Sequence, residues 1–216
     1  LMASLDSSLK RMGLEYVVIF YHHRPDPETR AEETAQPLSV IVRQGKALYV
    51  GISNYPEKGA EEMIPVLKEN KTPCLLHQPR YNMFERGVEE GLLGLLDREG
   101  VGCICYSPLA QGALTDKYLK GIPQGSRASR EGTSVGERYL NEGNIDKIRR
   151  LNALAQERGQ SLAQMALAWV LRRPEITSVL VGASRPEQLE NSGQEMTAAA
   201  FTEKELNTID EILGRC

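Results

Sequence analysis

Five short apolar runs rich in β-branched and aromatic residues set the frame for this chain. They are Val17-Val18-Ile19-Phe20-Tyr21, Ala47-Leu48-Tyr49-Val50-Gly51-Ile52, Cys74-Leu75-Leu76-His77-Gln78, Val101-Gly102-Cys103-Ile104-Cys105-Tyr106 and Ser178-Val179-Leu180-Val181-Gly182. Their starts are 30, 27, 27 and 77 residues apart, and a strand–helix–strand unit runs to about 30 residues. Near-continuous apolar runs suit strands of a parallel sheet covered on both faces. Helical periodicity fills the gaps: Met2, Leu5, Leu9 and Met12 before the first run, then Ile145, Ile148, Leu151 and Leu154, then Leu162, Met165, Ala166, Trp169 and Val170. Ser161 with Gln164, Thr202 with Glu205 and Ser184 with Glu187 have the spacing of capping boxes. The long connection from about Ser107 to Asn144 is rich in Gly, Ser and Arg, as functional lids and disordered segments are.

Alternating strand and helix predict an α/β fold, either a doubly wound sheet or a (β/α)8 barrel. A barrel needs eight strands and typically about 250 residues; here are five candidates in 216 residues. A barrel lacking its N-terminal strands explains both shortfalls. No GxGxxG follows a strand, which removes the commonest reason to choose a Rossmann domain. Periodicity alone leaves an open sheet standing. The chain opens Leu1-Met2, and a preceding portion is expected.

Composition narrows the function classes. Apolar residues are 41% and charged residues 25%, as in an ordinary globular protein. Against 29 acidic side chains stand 26 basic ones, a net charge of −3, which argues against a generally basic nucleic-acid binder. No run approaches the roughly 20 apolar residues of a membrane span, and no charged-then-apolar leader opens the sequence. Cys74, Cys103, Cys105 and Cys216 form no CxxC pair. A disulfide framework is not expected, and a reducing cytoplasm is.

In a barrel the chemistry collects at the C-terminal ends of the strands. Those ends read His22-His23-Arg24-Pro25-Asp26, Ser53-Asn54, Gln78-Pro79, Tyr106-Ser107-Pro108 and Gly182-Ala183-Ser184-Arg185. An imidazole can trade protons near neutrality, which singles out His23 as a donor beside a carbonyl; an ordinary packed or ion-paired histidine next to Asp26 is the rival reading. His22 alternates to the opposite strand face. His77 alternates with Gln78, and both are weaker candidates. The three histidines lack metal-ligand spacing, so no metal is expected. Ser53 and Asn54 suit a helix cap, or can pair with a primary amide such as a nicotinamide carboxamide. Tyr106 is a core aromatic or a stacking platform for a flat heterocycle. Gly182, Ser184, Arg185 and Pro186 make a helix start with free N–H groups and a guanidinium, a combination suited to phosphate. Lys117, Arg127 and Arg130 could close over the same anion; for Arg130 a solvated surface is favoured.

Five stretches then match a known family in its own order: residues 13–26, 45–55, Gln78-Pro-Arg-Tyr-Asn82, 106–112 and 181–189. On these the chain resembles an aldo-keto reductase over nearly its whole length. Residues 114–118 and 121–127 resemble the branch of the L-glyceraldehyde 3-phosphate reductases and voltage-gated potassium channel beta subunits. The resemblance implies one barrel domain, residues 1–216 with the N-terminal part absent. It implies NADPH as cofactor and a small aldehyde or ketone as substrate. It implies an Asp–Tyr–Lys–His tetrad, of which only the His, His23, lies in this sequence. Ser53, Asn54 and Gln78 would hold the carboxamide and Tyr106 would stack on the nicotinamide. Ser107, Pro108, Leu109 and Gly112 would line the pyrophosphate. Lys117, Arg127, Gly182, Ser184 and Arg185 would hold the adenosine phosphates, with Gln188 and Asn191 on the adenine side. Where the family carries a Glu-Asn pair after that Gln, this sequence reads Asn191-Ser192, and the segment from Gly132 to Asn144 is short. Channel subunits tend to carry Asn at the position of His23, which favours an enzyme over the alternative, a nucleotide-sensing regulatory subunit with little turnover. A tetramer or octamer in the cytoplasm is expected, with no nucleic acid and no membrane insertion.

Overall fold

A computed structural model describes residues 1–130, 132–133, 135–193 and 200–215; Cys216 lies outside the described residues. The chain divides into two compact units, residues 1–80 with 87–105, and residues 81–86 with those from 106 onward.

The first unit alternates helix and strand: α1 (Met2–Met12), β1 (Val17–His22), α2 (Ala31–Arg43), β2 (Ala47–Ser53), α3 (Glu57–Glu69), β3 (Cys74–Gln78), α4 (Leu92–Glu99) and β4 (Gly102–Cys105). β1 pairs with β2, β2 with β3 and β3 with β4, each pair parallel. A doubly wound sheet reverses its strand order partway. This strictly sequential order is that of a barrel wall. Helix periodicity explains the packing. Leu5 and Leu9 of α1 bury against Ile41 and Ala47, with Met2, Val17 and Phe20 beside them. Each fully buried Leu or Ile side chain contributes about 1.5–3 kcal/mol.

The register aligns His22 with Ile52 and Ser53 with Gln78, after a shift between Val50 and Gly51. Gly51 is required here. A Cβ on it would sit 2.6 Å from Tyr21 Cε1 and 3.0 Å from the Leu76 carbonyl oxygen, so its absence makes room for the Tyr21 ring. Both faces are covered toward the C-terminal ends of the strands, where the consecutive residues Val50 to Ser53 and Leu76 to His77 are buried. Nearer the strand starts Val18, Leu48, Tyr49 and Leu75 are 57%, 50%, 48% and 37% exposed.

The second unit holds α5 (Val135–Tyr139), α6 (Glu142–Glu157), α7 (Leu162–Leu171), β5 (Ile176–Val179), α8 (Pro186–Gly193) and α9 (Glu203–Leu213). The strand falls two residues earlier than its apolar run suggested. The capping boxes Ser161–Gln164 and Thr202–Glu205 are both formed. The predicted α7 stripe is buried throughout, and Ile148 and Leu151 are the buried part of the α6 stripe. Two guanidinium groups approach the Trp169 ring, Arg172 at 3.8 Å and Arg86 at 5.0 Å from its centroid, and Arg86 pairs with Asp210. The described part of the long connection is pinned by the buried side chains of Leu114, Tyr118, Val135 and Tyr139. Cys74, Cys103 and Cys105 are buried free thiols. Among the described residues no helix is long and apolar enough to cross a membrane, and no group of three or more His, Cys, Asp or Glu could hold a metal ion.

Candidate functional site

In the first unit the strand tips bring His23, Ser53, Asn54 and Gln78 into one hydrogen-bond network. Ser53 Oγ donates to the Gln78 carbonyl at 2.7 Å, and the Asn54 N–H donates to the same oxygen at 3.3 Å. Asn54 Nδ2 donates to the His23 carbonyl at 2.9 Å and to Ser53 Oγ at 3.0 Å. These bonds hold Asn54 at φ 58°, a left-handed conformation that Asn tolerates better than most residues. The Ser53-Asn54 pair at the end of β2 therefore ties β1 to β3. Tyr21 lies two residues before His23 on the same strand face. Burial raises its hydroxyl above its ordinary pKa, against the opposing effect of the Gln78 side chain, so the phenol stays neutral. His23 itself is exposed, and its ring makes no hydrogen bond among the described residues.

The second unit carries a cavity of about 970 Å³. Eleven of the residues named from the sequence line it: Ser107, Pro108, Leu109, Gly112, Lys117, Arg127, Gly182, Ser184, Arg185, Gln188 and Asn191. Tyr106 is not among them, although its carbonyl accepts from the Tyr81 N–H at 3.3 Å. The charged lining is Lys117, Arg127, Arg130 and Arg185 against the single carboxylate of Asp116, so the cavity is set up for an anion. Arg130 is exposed, as the sequence suggested, and yet belongs to this lining. The backbone at the cavity's edge is unusual. Ser107, Ala110 and Gln111 have φ of 55°, 47° and 58°, followed by Gly112 at 98°. Asn82, fully buried, holds the first of these by donating to the Ser107 carbonyl at 3.1 Å, while its Oδ1 accepts from the N–H groups of Phe84 and Glu85.

Two expectations are corrected at the start of α8. Ser184 forms no box with Glu187. Its hydroxyl donates to Gln188 Oε1 at 3.2 Å. That oxygen also accepts from the N–H groups of Ser184 at 2.8 Å and Arg185 at 3.3 Å. The N–H groups read as free are therefore satisfied internally, because a Gln four residues on reaches back one helical turn. The sequence reading gave no role to Tyr55, Asn82, Gln111, Thr115 or Asp116. For Asn82 the signal was present, an Asx turn spelled Asn82-x-x-Glu85. The others carry no local pattern that marks them.

The aldo/keto reductase family model matches residues 1–214. The chain is 55% identical over 215 residues to the L-glyceraldehyde 3-phosphate reductase of Escherichia coli (strain K12), covering 98% of this chain and 62% of that protein. It is 54% identical to the protein of the same description from E. coli O157:H7, with the same coverage. It is 38% identical over 216 residues to a Schizosaccharomyces pombe protein described as a voltage-gated potassium channel subunit beta, covering 97% of this chain and 63% of that one. The chain thus spans less than two thirds of the length of these relatives. The chain has a sequential parallel strand wall, polar strand tips and a cationic cavity, and the match over residues 1–214 settles the family: the chain belongs to the aldo/keto reductases.

Proposed function

We propose that the whole protein reduces small aldehydes or ketones, of the glyceraldehyde 3-phosphate or methylglyoxal type, with NADPH as reductant. The observation that carries this is the 970 Å³ cavity, whose charged lining is four cations to one carboxylate. A pyrophosphate with one further phosphate is polyanionic, and the volume suits a cofactor-sized ligand. The residues present fit the group. Lys117, Arg127, Ser184 and Arg185 would hold its adenosine phosphates, Ser107, Leu109 and Gly112 its pyrophosphate, and Gln188 and Asn191 its adenine side. In the first unit Ser53, Asn54 and Gln78 would hold the carboxamide, and in the second Tyr106 would stack on the ring. Bound there, NADPH supplies the hydride. His23 donates a ring N–H to the substrate carbonyl oxygen and orients it, an interaction that strengthens as charge builds on that oxygen. The family's Asp, Tyr and Lys are not in this sequence, and the proton that reaches the oxygen is assigned to none of its residues.

The test is a fluorescence titration of the whole protein with NADPH, followed by cofactor oxidation with small aldehydes. Saturable binding with aldehyde-dependent oxidation is expected. Absence of either overturns the proposal. The likeness to a channel subunit supports a second reading, a nucleotide-sensing subunit. That reading predicts tight NADPH binding, turnover slower than one per minute or so, and recovery of a partner in a pull-down.

A further inference from the structure

Two tethers converge on the end of β1, and a third bond fixes one of their anchors. The His23 carbonyl accepts from Asn54 Nδ2 at 2.9 Å. One residue earlier, His22 Nδ1 lies 2.5 Å from the Tyr55 hydroxyl, with the two rings edge-on at a centroid distance of 5.7 Å. Tyr55 is itself fixed: it is 6% exposed, and its carbonyl accepts from His77 Nε2 at 3.1 Å. The His23 ring, by contrast, is exposed and makes no hydrogen bond of its own among the described residues. An imidazole with no partner can be aimed only through its backbone. Consecutive side chains leave a strand on opposite faces. Pinning the His22 ring on one face therefore fixes the rotation of the strand end, and with it the direction in which His23 leaves the other face.

We infer that Tyr55, acting through its hydrogen bond to His22, is a positioning residue for His23. The inference rests on the reading of His23 as the group that orients the substrate carbonyl. The proton assignment follows from the surroundings. Burial pushes the Tyr55 phenol up to about 12, so it keeps its proton. Burial, helped by His23, pulls His22 below its ordinary value against the opposing charge of Asp26. With its proton on Nε2, a neutral His22 accepts the Tyr55 O–H at Nδ1, and that tautomer is the one this inference assigns. Neither residue touches the substrate in this scheme.

The experiment compares four variants of the whole protein: Tyr55→Phe, His22→Ala, His22→Asn and the double change Tyr55→Phe with His22→Ala. Phe keeps the ring and removes only the hydroxyl. Asn offers a side-chain oxygen about where Nδ1 stood. Tyr55→Phe and His22→Ala should each lower kcat for a small aldehyde about tenfold, a modest fraction of what a misaimed reacting group can cost. The aldehyde KM and the NADPH dissociation constant should stay within about twofold. His22→Asn should recover most of the loss, and the double variant should lose no more than either single one, as coupled residues do. A purely structural role would instead lower thermal stability and the folded fraction, leaving kcat per NADPH-binding site unchanged. The inference is overturned if Tyr55→Phe retains kcat within twofold, or if the two losses add. Should Tyr55→Phe not fold, the contrast between His22→Ala and His22→Asn decides the matter alone, with equal kcat in the two overturning it. A wild-type protein that reduces no aldehyde overturns the reading of His23, and the inference with it. An active wild type with an indifferent Tyr55 overturns the inference only.

Discussion

His77 is fully buried, and its Nδ1 has no hydrogen-bond partner among the described residues. Burial pulls this imidazole down to about 4, outweighing its bond to the Tyr55 carbonyl. The unfolded chain takes up a proton there below about 6.5, while the folded chain refuses one until about 4. The contribution to stability is therefore whole above pH 6.5 and is withdrawn as pH falls toward 4, by an amount on the order of 3 kcal/mol. Urea unfolding at pH 7 and pH 5 should show about 2 kcal/mol of this loss, and His77→Leu should lose distinctly less between the same two pH values. An equal loss in both proteins would remove His77 as the cause. At His23 the expectation concerns rate. His23→Ala should cut kcat for small aldehydes roughly 10²-fold and leave NADPH affinity within twofold, as steady-state kinetics and titration would register. His23 was legible because it is a polar group at the end of an apolar run. Tyr55 was not, because its partner lies 33 positions away in sequence, and no periodicity encodes a bond between two strand ends.

At the scale of single elements, local chemistry was readable wherever it was short-range. The boxes at Ser161 and Thr202 involve residues three apart, and four of the five apolar runs are strands to within a residue or so. β5 differs because Leu180 and Val181, though apolar, line the cavity and lie outside the strand. The start of α8 differs because Glu187 and Gln188 both lie within reach of Ser184, and Gln188 wins. Thr202 donates to Glu205 Oε2 at 2.8 Å and accepts from its N–H at 3.3 Å. Thr202→Ala should cost about 1 kcal/mol, measured by thermal or urea unfolding; an unchanged midpoint would mean the cap contributes nothing. Gly91, at the start of α4, has φ 143°, and a Cβ there would fall 2.3 Å from the Glu57 carboxyl atoms. Glu57 can swing aside, but the backbone conformation remains one that L side chains rarely adopt. Gly91→Ala should therefore destabilise by more than about 1 kcal/mol, and a stability equal to wild type would show that the turn relaxes freely.

For the molecule as a whole, the alternation of strand and helix was legible from the rhythm of apolar runs, and the choice of a barrel over a doubly wound sheet was not legible from that rhythm. Both give the same alternation of strand and helix. Only the pairing of β1 to β2 to β3 to β4 separates them. The anion cavity was legible as a list of residues, since Lys117, Arg127 and Arg185 follow glycine-rich or helix-start segments. What the list could not show is that Gln188 already occupies the N–H groups of Ser184 and Arg185. Cofactor choice is the prediction proper to this scale. If Arg127 meets the extra phosphate, Arg127→Ala should weaken NADPH binding at least about tenfold, the scale of one lost charge-assisted contact, and NADH binding far less. Equal losses in the two titrations would refute that role. The uncovered strand side chains Val18, Leu48, Tyr49 and Leu75 bear on how a polypeptide of these 216 residues behaves in a test tube. Greasy surface of this kind recruits dye and neighbouring copies. Such a preparation should brighten anilinonaphthalene sulfonate, sediment as aggregates that grow with concentration, and become better behaved when Val18 and Leu48 are changed to Lys.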